Sequence, residues 1–218
     1  MSPKTLKIDK LPTIRRLPAY LQILRALSAK GEEFVSSAFL ADRMQIEAIL
    51  VRKDLELTGI SGTPRVGFRV RDLVTAIEKF LGWGRVLDTC LVGAGQLGAA
   101  LLGHRELNQF GIRIVAAFDT DPEKIGSTLH GVTVFPLSRI EELVKRLTIL
   151  LAIVCVPADV AQAVADQLVQ AGIQAIWMFS SVNVTVPEHV IFQREDLLSG
   201  LAVLCARVAR SGPTGLST

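Results

Sequence analysis

The strongest constraint on this chain is a six-residue loop, Gly93-Ala94-Gly95-Gln96-Leu97-Gly98, that directly follows an apolar run at residues 86–92. The G-x-G-x-x-G spacing alone is weak, but its setting agrees on three counts. It follows a candidate strand and opens a candidate helix. An acidic residue, Asp119, ends the next apolar run about 20 residues beyond the last glycine. Gly93 permits the tight turn, Gly95 lets the backbone approach a pyrophosphate, and Gly98 lets the helix pack on the strand. The start of the helix then presents unpaired N–H groups to phosphate oxygens. Asp119 is placed to accept hydrogen bonds from adenosine ribose hydroxyls. Its charge opposes a 2′-phosphate, so the spacing predicts NAD(H) in preference to NADP(H).

The loop belongs to an alternating pattern. Candidate strands fall at residues 86–92, 112–118, 132–135, 148–156, 175–179 and 190–192, with helical segments near 96–109, 138–146 and 158–171. This is the βαβ rhythm of a doubly wound parallel sheet. The most apolar run, 147–156, is about half the roughly 20 residues of a membrane span and ends at Pro157. It reads as a central strand buried on both faces. No apolar leader begins the chain, so a cytoplasmic protein is expected. Cys90, Cys155 and Cys205 lie in apolar runs without metal-ligand spacing, as small core residues of a reducing compartment. A mostly apolar last helix, about 195–210, is expected to dock onto something, followed by a disordered tail at 211–218.

Charge separates the first third from the rest. Residues 1–85 hold 15 Lys/Arg against 9 Asp/Glu; the remainder holds 9 against 12, so balances of +6 and −3 give the net +3. A basic segment of this kind suits a polyanionic partner. Its pattern is three short helices, at 17–29, from Ser36 or Ser37 to about Met44, and about 47–57. A glycine- and proline-punctuated stretch at 62–70 then reads as a β-hairpin, and a helix capped by Asp72 runs to Phe80. Three helices and a hairpin make a winged helix, in which the third helix enters the major groove and the hairpin touches the flanking backbone. Arg52 and Lys53 on the third helix, and Arg65, Arg69 and Arg71 around the hairpin, are cations where phosphate neutralisation needs them.

A dehydrogenase of this design needs a proton donor beside the nicotinamide. His104, His130 and His189 occupy a helix, a loop and the start of a strand, and none has a recognisable catalytic setting. The N-terminal third also leaves no room for a substrate domain. Binding without turnover is therefore favoured. A small NAD-dependent oxidoreductase that dimerises through its N-terminal region, and a paralogue answering to another nucleotide, are the alternatives.

From Ile14 to Leu204 the chain resembles the Rex redox-sensing transcriptional repressors of bacteria. The resemblance rests on Arg15-Arg16-Leu17, Val51-Arg52-Lys53-Asp54-Leu55, Gly67-Phe68, the glycine loop, the run from Ala116 to Gly126, Val156-Pro157-Ala158, and Ala161-Gln162 leading into the run from Leu168 to Ile173. It implies a winged-helix DNA-binding domain at 1–82, a Rossmann NAD(H)-binding domain at 85–193 and a dimerisation helix at 194–210 exchanged between subunits of a homodimer. It also implies binding to a palindromic double-stranded operator, released when NADH binds, and no membrane partner. Asp121, Val156, Pro157 and Phe179 join the loop and Asp119 as cofactor-binding residues. Arg16, His104 and Asp196 match a switching network, with His104 standing where the family usually has Tyr. A His there can still bridge Asp196. Two further departures stand out. Met178-Phe179-Ser180-Ser181 replaces the usual Asn-Phe-Ala-Pro beside the nicotinamide, and Thr63-Pro64-Arg65 replaces the usual Thr-Arg-Gly of the wing.

Overall fold

The computed structural model describes residues 10–211; residues 1–9 and 212–218, which include nearly all of the expected tail, lie outside the described residues. The chain divides into two compact units, 1–85 and 86–218.

The first unit is a winged helix. Helix α1 (Leu11–Ala29) buries Leu17, Tyr20, Leu21 and Leu24, the apolar stripe that helical spacing puts on one face. Helix α2 (Ser37–Met44) starts at Ser36, whose hydroxyl accepts the Phe39 N–H, and α3 (Ala48–Glu56) buries Val51, Asp54 and Leu55. Helix α4 (Val70–Leu81) closes the core with Val70, Leu73 and Ile77. The wing differs from the expected hairpin. Residues 62–70 do not fold back into two strands of their own. Strand β1 (Phe34–Val35), which the sequence pattern missed, pairs antiparallel with β2 (Phe68–Arg69), and Thr63–Gly67 forms a tight loop closed by reciprocal backbone hydrogen bonds. Gly67 is required there: its φ is +97°, and a Cβ would run into the Val35 carbonyl oxygen. Helix α4 begins at Val70, so Asp72 lies in its first turn rather than at its cap.

The second unit carries a seven-stranded sheet. In chain order these are β3 (Leu87–Val92), β4 (Ile112–Asp119), β5 (Thr128–Leu129), β6 (Val132–Pro136), β7 (Leu151–Val154), β8 (Ala175–Met178) and β9 (Ile191–Arg194), and their spatial order is β5-β6-β4-β3-β7-β8-β9. All neighbours are parallel except the β5–β6 edge pair. Alternation along the strands sorts side chains to two cores. Cys90, Val92, Phe118, Val154 and Met178 face helices α7 (Ile140–Leu147) and α8 (Ala161–Ala171). Leu91, Ala117, Ile153, Trp177 and Phe179 face the other way. The helix expected over 96–109 is two: α5 (Gln96–Leu102) and α6 (Glu106–Gln109). The break is at Gly103, where a Cβ would sit 2.9 Å from the His130 ring. The last helix, α9 (Leu197–Ser211), begins where the Asp196 carboxylate accepts the Leu198 N–H. No helix among the described residues is long and apolar enough to cross a membrane.

Candidate functional site

The chain runs outward from β3 in both directions: β4 and β6 lie on one side, β7, β8 and β9 on the other. The carboxyl end of β3 is therefore the topological switch point, where open α/β sheets bind ligands. Val92, Phe118, Val154 and Met178 are in register across the sheet. The residues immediately after them, Gly93, Asp119, Cys155 and Phe179, thus reach the same level and line one cleft of about 770 Å³. That volume is within the roughly 300–1,000 Å³ of small-molecule sites.

The three glycines have distinct geometries. At Gly93, φ is +93° and a Cβ would strike the Cys155 carbonyl oxygen; at Gly98 a Cβ would strike the Gly93 carbonyl oxygen. Both are close backbone approaches that exclude any side chain. At Gly95 nothing lies within 4 Å of the Cβ position. The bare backbone there faces open space at the start of α5, which leaves room for a pyrophosphate. Gly95, Leu97, Asp121, Val156, Pro157 and Phe179 all line the cleft, whereas Ala94 is buried behind it and Gln96 is exposed. Phe179 packs on Trp177 with ring centroids 4.7 Å apart, and the Trp177 Nε1–H donates to Glu195 at 3.1 Å.

The Asp119 carboxylate is engaged by backbone amides. One carboxylate oxygen accepts the Thr120 and Asp121 N–H groups at 2.8 and 2.9 Å, and the other accepts the Ala94 N–H at 2.8 Å. Burial pushes its pKa up, but the Asp121 and Ala94 N–H groups, the nearby Lys124 and the Thr120 N–H outweigh it and hold the carboxyl below its ordinary value. Asp119 thereby ties the glycine loop to the end of β4. Lys124 was missed by motif spacing: its ammonium lies 3.4 Å from Asp119 and 3.2 Å from Asp121, at the cleft wall. The signal was the three-residue step from Asp121 across the turn at Pro122.

Cys90 is buried, Cys155 is part-buried along the cleft, and Cys205 is exposed on α9, which corrects the expectation that all three are core residues. Burial pushes the Cys155 thiol up to about 12, so it is a neutral wall rather than a nucleophile. Among the described residues no group of three His, Cys, Asp or Glu is placed to hold a metal.

In the first unit, Arg52 and Arg65 border one polar groove of about 510 Å³ between α3 and the wing loop, together with Ser36, Ser37 and Thr63. Arg52, Lys53 and Arg65 are exposed, and none makes an ion pair with a described residue. Arg69 stands apart from that groove, with its guanidinium 5.7 Å from the centre of the Phe34 ring. Arg16 is bound by Asp54 through Nε at 2.6 Å and Nη2 at 2.7 Å. Elsewhere, His104 has Glu106 at 3.7 Å.

Residues 11–56 match a family described as "putative DNA-binding protein N-terminus", and residues 87–182 match one described as "CoA binding domain". The redox-sensing transcriptional repressor Rex of Treponema denticola is 44% identical over 91% of this chain and 94% of its own length. The chain belongs to the Rex family. Rex of Desulfitobacterium hafniense is 41% identical, covering 94% of this chain and 97% of its own. Among solved Rex structures, that of RSP, a Rex-family repressor, in complex with β-NAD+ and operator DNA superposes with a TM-score of 0.88 at 32% identity, covering 97% of this chain and 100% of that one. The RSP complex with β-NADH gives 0.85 at 32% identity over 94% and 97%. The Rex relatives are named as repressors rather than enzymes.

Proposed function

We propose that this protein is a DNA-binding repressor that reads the NADH/NAD+ ratio and releases its operator when NADH binds. One observation carries the reading: a single chain joins a glycine-loop cleft at a sheet switch point to a winged helix whose groove cations, Arg52 and Arg65, form no ion pair among the described residues although Glu56 lines the same groove. Gly93, Gly95, Leu97, Asp119, Asp121, Val156, Pro157 and Phe179 hold the dinucleotide, and Ala94 and Gly98 shape the loop from behind. Arg52, Lys53, Arg65 and Arg69 meet the DNA. The redox response requires NADH and NAD+ to favour different states, because a ligand shifts an equilibrium only by its differential affinity. The nicotinamide is neutral in NADH and cationic in NAD+, and Phe179 is the aromatic wall it meets.

The working form is a cytoplasmic homodimer. Every residue from 201 to 210 of α9 is exposed, including Leu201, Val203, Leu204 and Val208 at 53–66%. So much apolar surface on one helix is costly in water and is covered when a second copy receives it. Arg16, His104 and Asp196 act as the switch, and each has a local partner in the present state: Asp54, Glu106 and the Leu198 N–H.

The test is an anisotropy titration with operator DNA selected from a random pool. DNA affinity should be high without ligand and with NAD+, and should fall with NADH. Equal DNA affinity in NADH and NAD+ would remove the sensor reading.

A further inference from the structure

We infer that Asp121, through its ion pair with Lys124, decides whether the cleft admits a ribose 2′-hydroxyl or a ribose 2′-phosphate; the inference rests on the dinucleotide reading above. The acidic residue at the end of the second Rossmann strand is the usual source of this discrimination. Here that residue, Asp119, is largely committed elsewhere. A carboxylate offers about four lone-pair sites. Three of those on Asp119 are held by fixed backbone N–H groups of Ala94, Thr120 and Asp121, and its side chain is only 10% exposed. Its charge is already spread onto those amides, and its main task is to hold the glycine loop.

Asp121 is differently placed. Its side chain is 38% exposed and lines the same cleft. One oxygen accepts the Glu123 N–H at 3.0 Å, and the other lies 3.2 Å from the Lys124 ammonium. Lys124 is thus pinned between two carboxylates, nearer to Asp121 than to Asp119. With Asp119, Asp121 and Lys124 all charged, this end of the cleft carries one net negative charge, which opposes a phosphate. Neutralising Asp121 brings the balance to zero and frees Lys124 from its nearer partner. The cleft wall then offers an ammonium, the kind of cation that a 2′-phosphate requires.

Asp121→Asn isolates the charge, because the amide oxygen can still accept the Glu123 N–H and preserve the turn. Asp121→Ser does the same with a hydroxyl and guards against a fold-specific failure of the first variant. NADH and NADPH binding to the full chain is followed by cofactor fluorescence for wild type, both Asp121 variants, Lys124→Met and the double variant D121N/K124M. Each Asp121 variant should raise the ratio of NADPH to NADH affinity roughly tenfold, the order of one charge-assisted hydrogen bond. The double variant should lose that gain, and added salt should shrink it. An unchanged ratio in both Asp121 variants, or a gain that survives K124M, overturns the inference while leaving the dinucleotide reading intact. A wild-type chain that binds neither cofactor overturns both.

Discussion

The most informative perturbation is Asp54→Ala. Asp54 sits on the inner face of α3, directly after Arg52 and Lys53, with a side chain only 1% exposed. Four donors converge on its carboxylate: Thr13 Oγ1 at 2.8 Å, Tyr20 OH at 2.8 Å, and Arg16 Nε and Nη2 at 2.6 and 2.7 Å. All three donor residues belong to α1, so the cluster is the polar bolt between α1 and the helix proposed to enter DNA. Breaking a buried ion pair from one side costs roughly 3–5 kcal/mol, because the remaining groups lose their partner. Here Arg16 keeps 23% of its side chain in water and the two hydroxyls can turn, which favours the low end, about 3 kcal/mol. For a unit of this size that lowers the melting temperature by roughly 15 °C. Asp54→Asn keeps an acceptor and should cost about half as much.

The same cluster has a pH signature. Burial raises the Asp54 pKa, but the hydrogen bonds from Arg16, Thr13 and Tyr20 outweigh it and leave the carboxyl below its ordinary value of 3.8. Its stabilisation is therefore complete above that value and disappears as pH falls through the lower folded value. Circular-dichroism melts of the full chain between neutral and acid pH, with operator anisotropy in parallel, measure both effects. An Asp54→Ala chain that melts within a few degrees of wild type, with the same acid profile and DNA affinity, refutes the reasoning.

Arg65 holds φ +63° directly after Pro64, at the turn position that favours glycine. Arg65→Gly should stabilise the fold by up to about 1 kcal/mol in urea titrations yet weaken operator binding, so a gain in both would place Arg65 outside the DNA interface. Arg52→Ala should weaken operator affinity and flatten its salt dependence by about one counterion, with NADH titrations unaltered. Gly98→Ala must push the Gly93 carbonyl aside, an overpacking of roughly 1–3 kcal/mol. It should abolish the NADH response in anisotropy while unliganded DNA binding persists.

Features set by local periodicity or by obligatory glycine geometry were readable in advance. The alternation through Leu91, Val92, Ala117, Phe118, Ile153 and Val154 needs a sheet covered on both faces, and Gly93 and Gly98 sit where no other residue fits. Features set by contacts distant in sequence were hidden. Strand β1 is two residues long and exists only because Phe68 and Arg69 pair with it. The need for a residue without a Cβ at Gly103 comes from the ring of His130, 27 positions further on. Arg16 carries no mark that its partner is Asp54, 38 residues away. Lys124 escaped notice because motif templates stop at the acidic residue, whereas its position is decided by the turn that follows. The exposure of Cys205 was equally invisible, since an apolar helix reads as core until its neighbours are known.

The hydrogen bond from the Ala94 amide to Asp119 has a kinetic consequence. A phosphate loop that is slack before capture must be ordered by its ligand, and that ordering is drawn from the binding free energy. This loop is already fastened to the neighbouring strand, so the ligand meets a finished surface and capture is governed by encounter. Differences in affinity between the oxidised and reduced ligands then fall on their residence times. The speed at which operator occupancy tracks a change in the redox pool should then follow how long the departing ligand stays rather than how fast the next one arrives.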